Sequence, residues 1–394
     1  MEKKDIEIFA SDAILKEHLA KLTTETSKGT SLASYSIFNS SAAKNFDMEN
    51  TVLNFKSSKY SKDVLVDRAI GSLMALAMGD SVGSQTEGFP VNFEEAGITD
   101  FDPKFFTRRN MVAGNVTDDA SMANCLADTL ILCKGLNCKD FLKRCVLWWF
   151  YGYNNFTGLA DTEPRVSHGM GSITKASLMN FINSKYTKTI STNSIRPSNG
   201  CIMRLAPISL YYYPDIKEAM DKAVEQARTT HVTGETDDAS RIVAYLIVKA
   251  LGYTKIYNNE KDFGKEFLDS LDFSEVIPLL ATENAKKLVK AEDKWNWKAK
   301  GFNFPLGGSG LIALEGLAMA LHISYTEESI TKIILKATNI GGDSDTIAAI
   351  AGQIMGALYG ISSIPTKWSE LILKWDRRGE TALKATLLIK KEIH

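Results

Sequence analysis

The chain has 394 residues, 44% hydrophobic and 24% charged, and its 46 Lys and Arg against 47 Asp and Glu leave a formal net charge of -1. Such a composition belongs to an ordinary globular protein able to bury a large core. It excludes a broad nucleic-acid surface or a polybasic membrane patch, both of which require an excess of Lys and Arg.

Residues 1 to about 60 are rich in Ser, Thr, Lys and Asn with weak periodicity, and read as an appendage, partly helical, ahead of one domain over 61–394. From Asp63 the pattern sharpens. Ile70, Leu73, Met74, Ala77 and Met78 make one helical stripe, and Gly71, Ala75 and Gly79 make a small-residue face, which predicts a helix buried on both sides. Met122, Cys125, Leu126, Leu130 and Cys133 repeat the helical spacing, as do segments within 216–229, 238–251, 308–322 and 327–338. The charged stretch 254–300 reads as peripheral helices and loops. Ile347, Ile350, Ala351, Ile354 and Leu358 mark a last apolar helix, with Gly352, Gly356 and Gly360 spaced as in a membrane helix pair. That helix ends near Gly360 after about 14 residues, or ~21 Å, short of a hydrocarbon core of roughly 30 Å. It is therefore expected to be buried in protein. With no alternating strands and no clear linker, the expected fold class is all-α, a compact multi-helix domain.

The five cysteines are odd in number and form no C-x-x-C pair, so reduced thiols and a cytoplasmic or cytosol-delivered protein are expected. The charged N-terminus carries no apolar segment of signal-peptide length.

Two helix starts are unusually acidic. Thr117-Asp118-Asp119-Ala120-Ser121 follows Gly114, and Asp343-Ser344-Asp345-Thr346 follows Gly341-Gly342. Capping needs one short polar side chain per helix, and each start carries two carboxylates and a threonine. Four clustered carboxylates would cost several kcal/mol unless a cation neutralises them, and Asp and Thr oxygens are the hard ligands that Mg²⁺ prefers. A central two-metal cleft is the economical reading if the two segments meet. Thr236-Asp237-Asp238-Ala239-Ser240 repeats the first of these pentapeptides, but no second D-x-D partner remains for it, so a helix-capping role is expected there.

Five segments in order, DRAIGSLMALAMGDSVGSQTEGF, GNVTDDASMANCLADTL, SNGCIMRLAPISLYY, THVTGETDDAS and IGGDSDTIAAIAGQIMGALYG, resemble the ADP-ribosylglycohydrolase family over roughly 63–376. The resemblance implies packed helices holding two Mg²⁺ ions through Thr117, Asp118, Asp119, Asp343, Asp345 and Thr346, with the ribose diol at the ions. It implies catalytic roles for Glu87, on a mobile loop, and for Asp118 and Asp345 at the metals. Asn199 and Gly200 match a segment under the nucleotide, and His231 matches the family's histidine near the site. Arg204 fits either a buried ion pair or a phosphate contact. Asp161, ahead of a GMGSITKAL-like stretch, matches a substrate-contacting aspartate of the arginine-specific bacterial enzymes, although TEPRVSH intervenes. Ala120 stands where the family usually has Thr.

The implied activity is Mg²⁺-dependent hydrolysis of the bond between ADP-ribose and a protein side chain, arginine ahead of serine, by a monomer whose partners are the ADP-ribosylated protein and the ADP-ribose product. No nucleic acid or membrane is involved. A catalytically inactive ADP-ribose-binding relative and a two-metal phosphohydrolase are the rival readings.

Overall fold

The computed structural model describes residues 63–91, 97–102, 104, 111–156, 167–191, 196–302, 308–376 and 379–391. The expected appendage and Asp161 lie outside them. Among the described residues no strand forms, and an antiparallel bridge pairs Ser198 with Ile312.

The helices run in order α1 (Val64–Gly83), α2 (Asp118–Cys133), α3 (Cys138–Tyr151), α4 (Ser172–Asn183), α5 (Ala206–Tyr212), α6 (Ile216–Ala227), α7 (Gly234–Leu251), α8 (Phe263–Asp269), α9 (Glu283–Lys290), α10 (Ala313–Thr326), α11 (Ile330–Asn339), α12 (Ser344–Tyr359), α13 (Thr366–Leu373) and α14 (Glu380–Lys390). At the centre α1 and α12 pack antiparallel with their backbones in contact. A Cβ on Gly71 would lie 2.4 Å from the Gly356 carbonyl oxygen, one on Gly79 2.3 Å from that of Ala348, and one on Gly352 2.3 Å from that of Ala75. The small-residue faces of both helices are thus spent on each other. Both helices are buried all round, largely through apolar side chains, because α7, α10, α11 and α14 enclose the pair. Among the described residues no helix is long and apolar enough to cross a membrane.

Polar groups lock the ends of this core. Arg68, buried on α1, donates to the carbonyls of Leu251, Tyr253 and Lys255, which satisfies acceptors left over at the end of α7. Gln353 of α12 donates to the carbonyls of Ile202 and Met203 and accepts from the Ala206 N–H, fixing the turn that leads into α5. The stretch 254–300 is peripheral and laced with surface ion pairs, as its charge suggests, yet Trp295 and Trp297 are buried and pin it to the body. The sequence pattern hides those anchors, since two isolated tryptophans make no periodic stripe.

Candidate metal centre and ligand cleft

Thr117 stands at the N-cap position of α2 with Asp118 and Asp119 in its first turn, and Asp343 stands at the N-cap of α12 with Asp345 in its first turn. Neither N-cap side chain accepts a backbone N–H of its own helix, and the Thr117 hydroxyl instead reaches Asp119 Oδ2 at 3.1 Å. The cap of α2 comes instead from Asp80, near the end of α1. Its carboxylate accepts the Thr117 N–H at 2.8 Å, the Thr117 hydroxyl at 2.8 Å and the Ala120 N–H at 2.9 Å. Asp80 therefore does the capping and relieves the α2 carboxylates of that duty. It was not singled out from the sequence, although a carboxylate at the end of an otherwise apolar buried stripe is a signal that could have found it.

The two acidic starts meet. Ligand oxygens of Glu87, Asp343 and Asp345 lie within 4.8 Å of one another, and Asp80, Asp118 and Asp119 crowd the same space. Burial, and then repulsion from neighbouring carboxylates, holds Asp118, Asp119 and Asp345 well above the usual carboxylate range. Burial pushes Asp80 up to about 7 against its three donors, and Asp343 up to about 6 against the hydrogen bond from Asn199. One oxygen of Asp119, Oδ1, is buried with no hydrogen-bond partner. A bare carboxylate oxygen in such a place is costly unless something cationic meets it. The donors are all hard oxygens, so the residues fit a divalent cation of the Mg²⁺ kind. The Thr346 side chain is buried at the same helix start, with its N–H donating to Asp345 Oδ1 at 2.8 Å.

Glu87 sits on the turn after α1. The Gly88 N–H donates to the Gly342 carbonyl at 2.8 Å, and the Gly342 N–H donates back to Phe89 at 2.9 Å. Thr86 hydrogen-bonds to the Thr338 carbonyl and to Ser344 Oγ. These ties hold the Glu87 carboxylate against Asp343 and Asp345.

Around the carboxylates runs a polar cleft. Asn199 Nδ2 donates to Asp343 Oδ2 and to the Gly310 carbonyl, so Asn199 braces the second acidic start from the side. A Cβ on Gly200 would lie 3.1 Å from His231 Cε1, so the glycine there makes room for the imidazole ring. His231 is buried, with Nδ1 2.7 Å from Thr230 Oγ1 and Nε2 2.8 Å from Ser198 Oγ. Both ring nitrogens are thereby engaged by protein hydroxyls. Arg204 is fully buried under the cleft. It donates to Gln226 Oε1, Thr230 Oγ1 and Met122 Sδ and covers the Phe141 ring. Neither alternative read from the sequence holds in this arrangement: among the described residues no carboxylate pairs with it, and its guanidinium has no exposed face for a phosphate. Gly169, in the His168-Gly169-Met170-Gly171 turn ahead of α4, lies against Thr117 and Asp118, where a Cβ would come within 2.4 Å of Asp118 Oδ1. The N-terminus of α4, with Gly171 at the N-cap, has no side-chain cap.

A family model described as ADP-ribosylglycohydrolase matches residues 61–392. The chain belongs to the ADP-ribosylglycohydrolase family. An ADP-ribosylarginine hydrolase, Tri1, of Pseudomonas putida (strain GB-1) is 26% identical over 308 residues, 78% of this ADP-ribosylglycohydrolase and 74% of that protein. The ADP-ribosyl-[dinitrogen reductase] glycohydrolase of Rhodospirillum rubrum is 23% identical over 332 residues, 82% of this chain and 96% of its own. A solved structure described as an ADP-ribosylglycohydrolase-related protein complex superposes with a TM-score of 0.64 at 25% identity, covering 83% of this chain and 99% of that one. The all-α fold expected from the sequence is the fold of that structure, and membership of this family makes the chain a hydrolase.

Proposed function

We propose that this ADP-ribosylglycohydrolase removes ADP-ribose from modified protein side chains, arginine ahead of serine, with two Mg²⁺ ions held by Thr117, Asp118, Asp119, Asp343, Asp345 and Thr346. The observation that carries the reading is the buried carboxylate cluster with the bare Oδ1 of Asp119. Bound Mg²⁺ would supply Lewis acidity, a lowered pKa for water and an anchor for the ribose diol.

The chain's own groups supply the rest. Asp80 fixes the start of α2, so that Asp118 and Asp119 point at one place without spending their oxygens on capping. Asn199 braces Asp343. Glu87, held by the Gly88–Gly342 ties, is placed to move a proton between water and the leaving group. The uncapped N-terminus of α4 offers free N–H groups and a positive dipole end on the side of the cleft that Gly169 joins to the carboxylates, which suits the diphosphate. Asp161 is assigned to the guanidinium of an arginine-linked substrate, through charge-assisted hydrogen bonds. The ADP-ribosylarginine hydrolase among the relatives supports that preference. A cytoplasmic monomer acting on ADP-ribosylated proteins completes the reading.

The test is turnover of ADP-ribosylated arginine and serine peptides by purified protein, with products weighed by mass spectrometry. Intact ADP-ribose, released faster from arginine and only while Mg²⁺ is present, is the expected result. AMP or ribose phosphate as the product would sink the glycosidic assignment, and faster release from serine would sink the arginine preference.

A further inference from the structure

We propose that Asp80 is a positioning residue for the metal centre: by taking the hydrogen of the Thr117 hydroxyl it leaves Thr117 Oγ1 and Asp119 Oδ2 as a bare pair of oxygens for one cation, and it keys that pair to the start of α12 through the last turn of α1. The cation is that of the function proposed above, on which this inference rests.

A single hydrogen decides the arrangement. The Thr117 hydroxyl has one to give, and two buried carboxylate oxygens lie within its reach, Asp80 Oδ1 at 2.8 Å and Asp119 Oδ2 at 3.1 Å. Hydroxyl hydrogen bonds run at about 2.5–3.0 Å, so the Asp80 contact takes the hydrogen. Asp80 Oδ1 also accepts the Thr117 N–H at 2.8 Å, and Oδ2 accepts the N–H groups of Ala120 at 2.9 Å and Thr117 at 3.0 Å. With its hydrogen turned to Asp80, Thr117 presents a lone pair to Asp119. Asp119 is 1% exposed, and neither of its oxygens then receives a hydrogen: Oδ1 has no partner, and Oδ2 has only the threonine oxygen beside it. A carboxylate stripped of donors in this way is costly unless a cation meets it. Neighbouring ligand oxygens around an octahedral Mg²⁺, each about 2.1 Å from the ion, stand about 3.0 Å apart. The Thr117 and Asp119 oxygens stand at 3.1 Å.

The same turn of α1 holds the other half of the cluster. Asp80 and Gly83 are neighbours one helical turn apart. At Asp80, α1 fixes the start of α2. At Gly83 it fixes the start of α12, whose Ser344 hydroxyl donates to the Gly83 carbonyl at 2.8 Å and whose Asp345 Cα would lie 2.5 Å from a Cβ on Gly83. One rigid turn thus sets the spacing between the two acidic helix starts. Asn in place of Asp80 keeps the shape and reverses a hydrogen bond. An amide nitrogen at the Oδ1 position would drive the Thr117 hydrogen onto Asp119 Oδ2, and one at the Oδ2 position would face the N–H groups of Ala120 and Thr117.

Titration calorimetry of the full-length protein with MgCl₂ is the test. Asp80→Asn should bind Mg²⁺ at least about tenfold more weakly than wild type, the loss usual when the group that orients a metal ligand is removed. Thr117→Ser keeps the hydroxyl and should stay within about threefold of wild type, whereas Thr117→Val lacks it and should lose about as much as Asp80→Asn. In the Thr117→Val background Asp80→Asn should add less than about threefold, because its effect passes through the hydroxyl. In peptide turnover the Mg²⁺ concentration for half-maximal rate should rise with the Kd, while kcat at saturating Mg²⁺ stays within about threefold. Damage to the fold alone would lower kcat at every Mg²⁺ concentration. Unchanged Mg²⁺ affinity in Asp80→Asn, or full additivity of the two substitutions, overturns the positioning role and leaves the proposed function standing. Should Asp80→Asn fail to fold, a Thr117→Val variant that loses no more affinity than Thr117→Ser overturns it. Wild type that binds no Mg²⁺ overturns the function and this inference together.

Discussion

The pentapeptide Thr-Asp-Asp-Ala-Ser occurs twice, at 117–121 and at 236–240, and the two copies are put to opposite uses. In the first, the threonine is the N-cap residue and the aspartates open the helix among other carboxylates, with an oxygen of Asp119 left bare. In the second, the helix has already begun at Gly234. Thr236 completes a reciprocal capping box with Thr233, Asp237 pairs with Arg228 at 2.6 Å, and Asp238 accepts the N–H groups of Ala281 and Thr282 and the Thr282 hydroxyl while pairing with Arg241 at 3.3 Å. The same five residues join an acidic cluster that could hold a cation where positive partners are withheld, and form a structural staple where they are supplied. A shift of three positions along the helix, together with the neighbours it meets, separates a site from a cap.

The largest expected effect would break this contrast if it failed. Asp118→Asn or Asp345→Asn should reduce turnover of the arginine-linked peptide by at least about a thousandfold through loss of a metal ligand. Asp237→Asn and Asp238→Asn should leave kcat/KM nearly unchanged, and steady-state kinetics on the four variants decides it. Stability should run the other way. Asp238→Asn removes the charge that three donors and Arg241 converge on, and should cost about 2 kcal/mol and a few degrees of Tm with or without Mg²⁺. Asp118→Asn relieves repulsion, so the Tm of the metal-free protein should hold or rise while the gain on adding Mg²⁺ shrinks; calorimetric scans in EDTA and in Mg²⁺ separate the two patterns.

The smallest effect concerns pH. Asp80 is raised to about 7 and Asp343 to about 6 from a usual 3.8, so between those limits the folded metal-free protein holds protons that the unfolded chain has released. Stability from these groups is therefore greatest at low pH and declines as pH rises through that window. In EDTA the Tm should be higher at about pH 5 than at about pH 7.5, apart from the titration of other groups, and saturating Mg²⁺, which competes with those protons, should narrow the gap. An EDTA curve that rises across the window would contradict crowded carboxylates at the first pentapeptide.

Much of this was legible before any coordinates. The helical stripes at 70–78 and 347–358, the small-residue faces and the acidic starts at 117 and 343 are local patterns, and periodicity reports them directly. The position of Asp80 could have been flagged, but its capping role was not legible because its partners, Thr117 and Ala120, lie 37 and 40 residues away and only the packing of α2 against α1 reveals it. The partners of Arg204 were hidden for a related reason: Gln226 and Thr230 are delivered by the end of a different helix. The packing of Gly200 against the His231 ring was hidden for the same reason, since the two lie 31 residues apart in the chain.

The seam between α1 and α12 has a consequence for how such a protein can change over generations. Core positions usually drift by small exchanges of volume, one side chain yielding as another grows. Here the facing atoms are main chain, and a methyl group on Gly83 would sit 2.5 Å from the Cα of Asp345, itself one of the proposed metal ligands. No neighbour can shrink to make room. A variant at this seam would have to shift a whole helix, and with it the spacing between Asp80 and Asp345, so mutation there meets a step where the rest of the core offers a slope. Sequence divergence should therefore accumulate around the outer helices α8 and α9 and leave this line of small residues almost frozen.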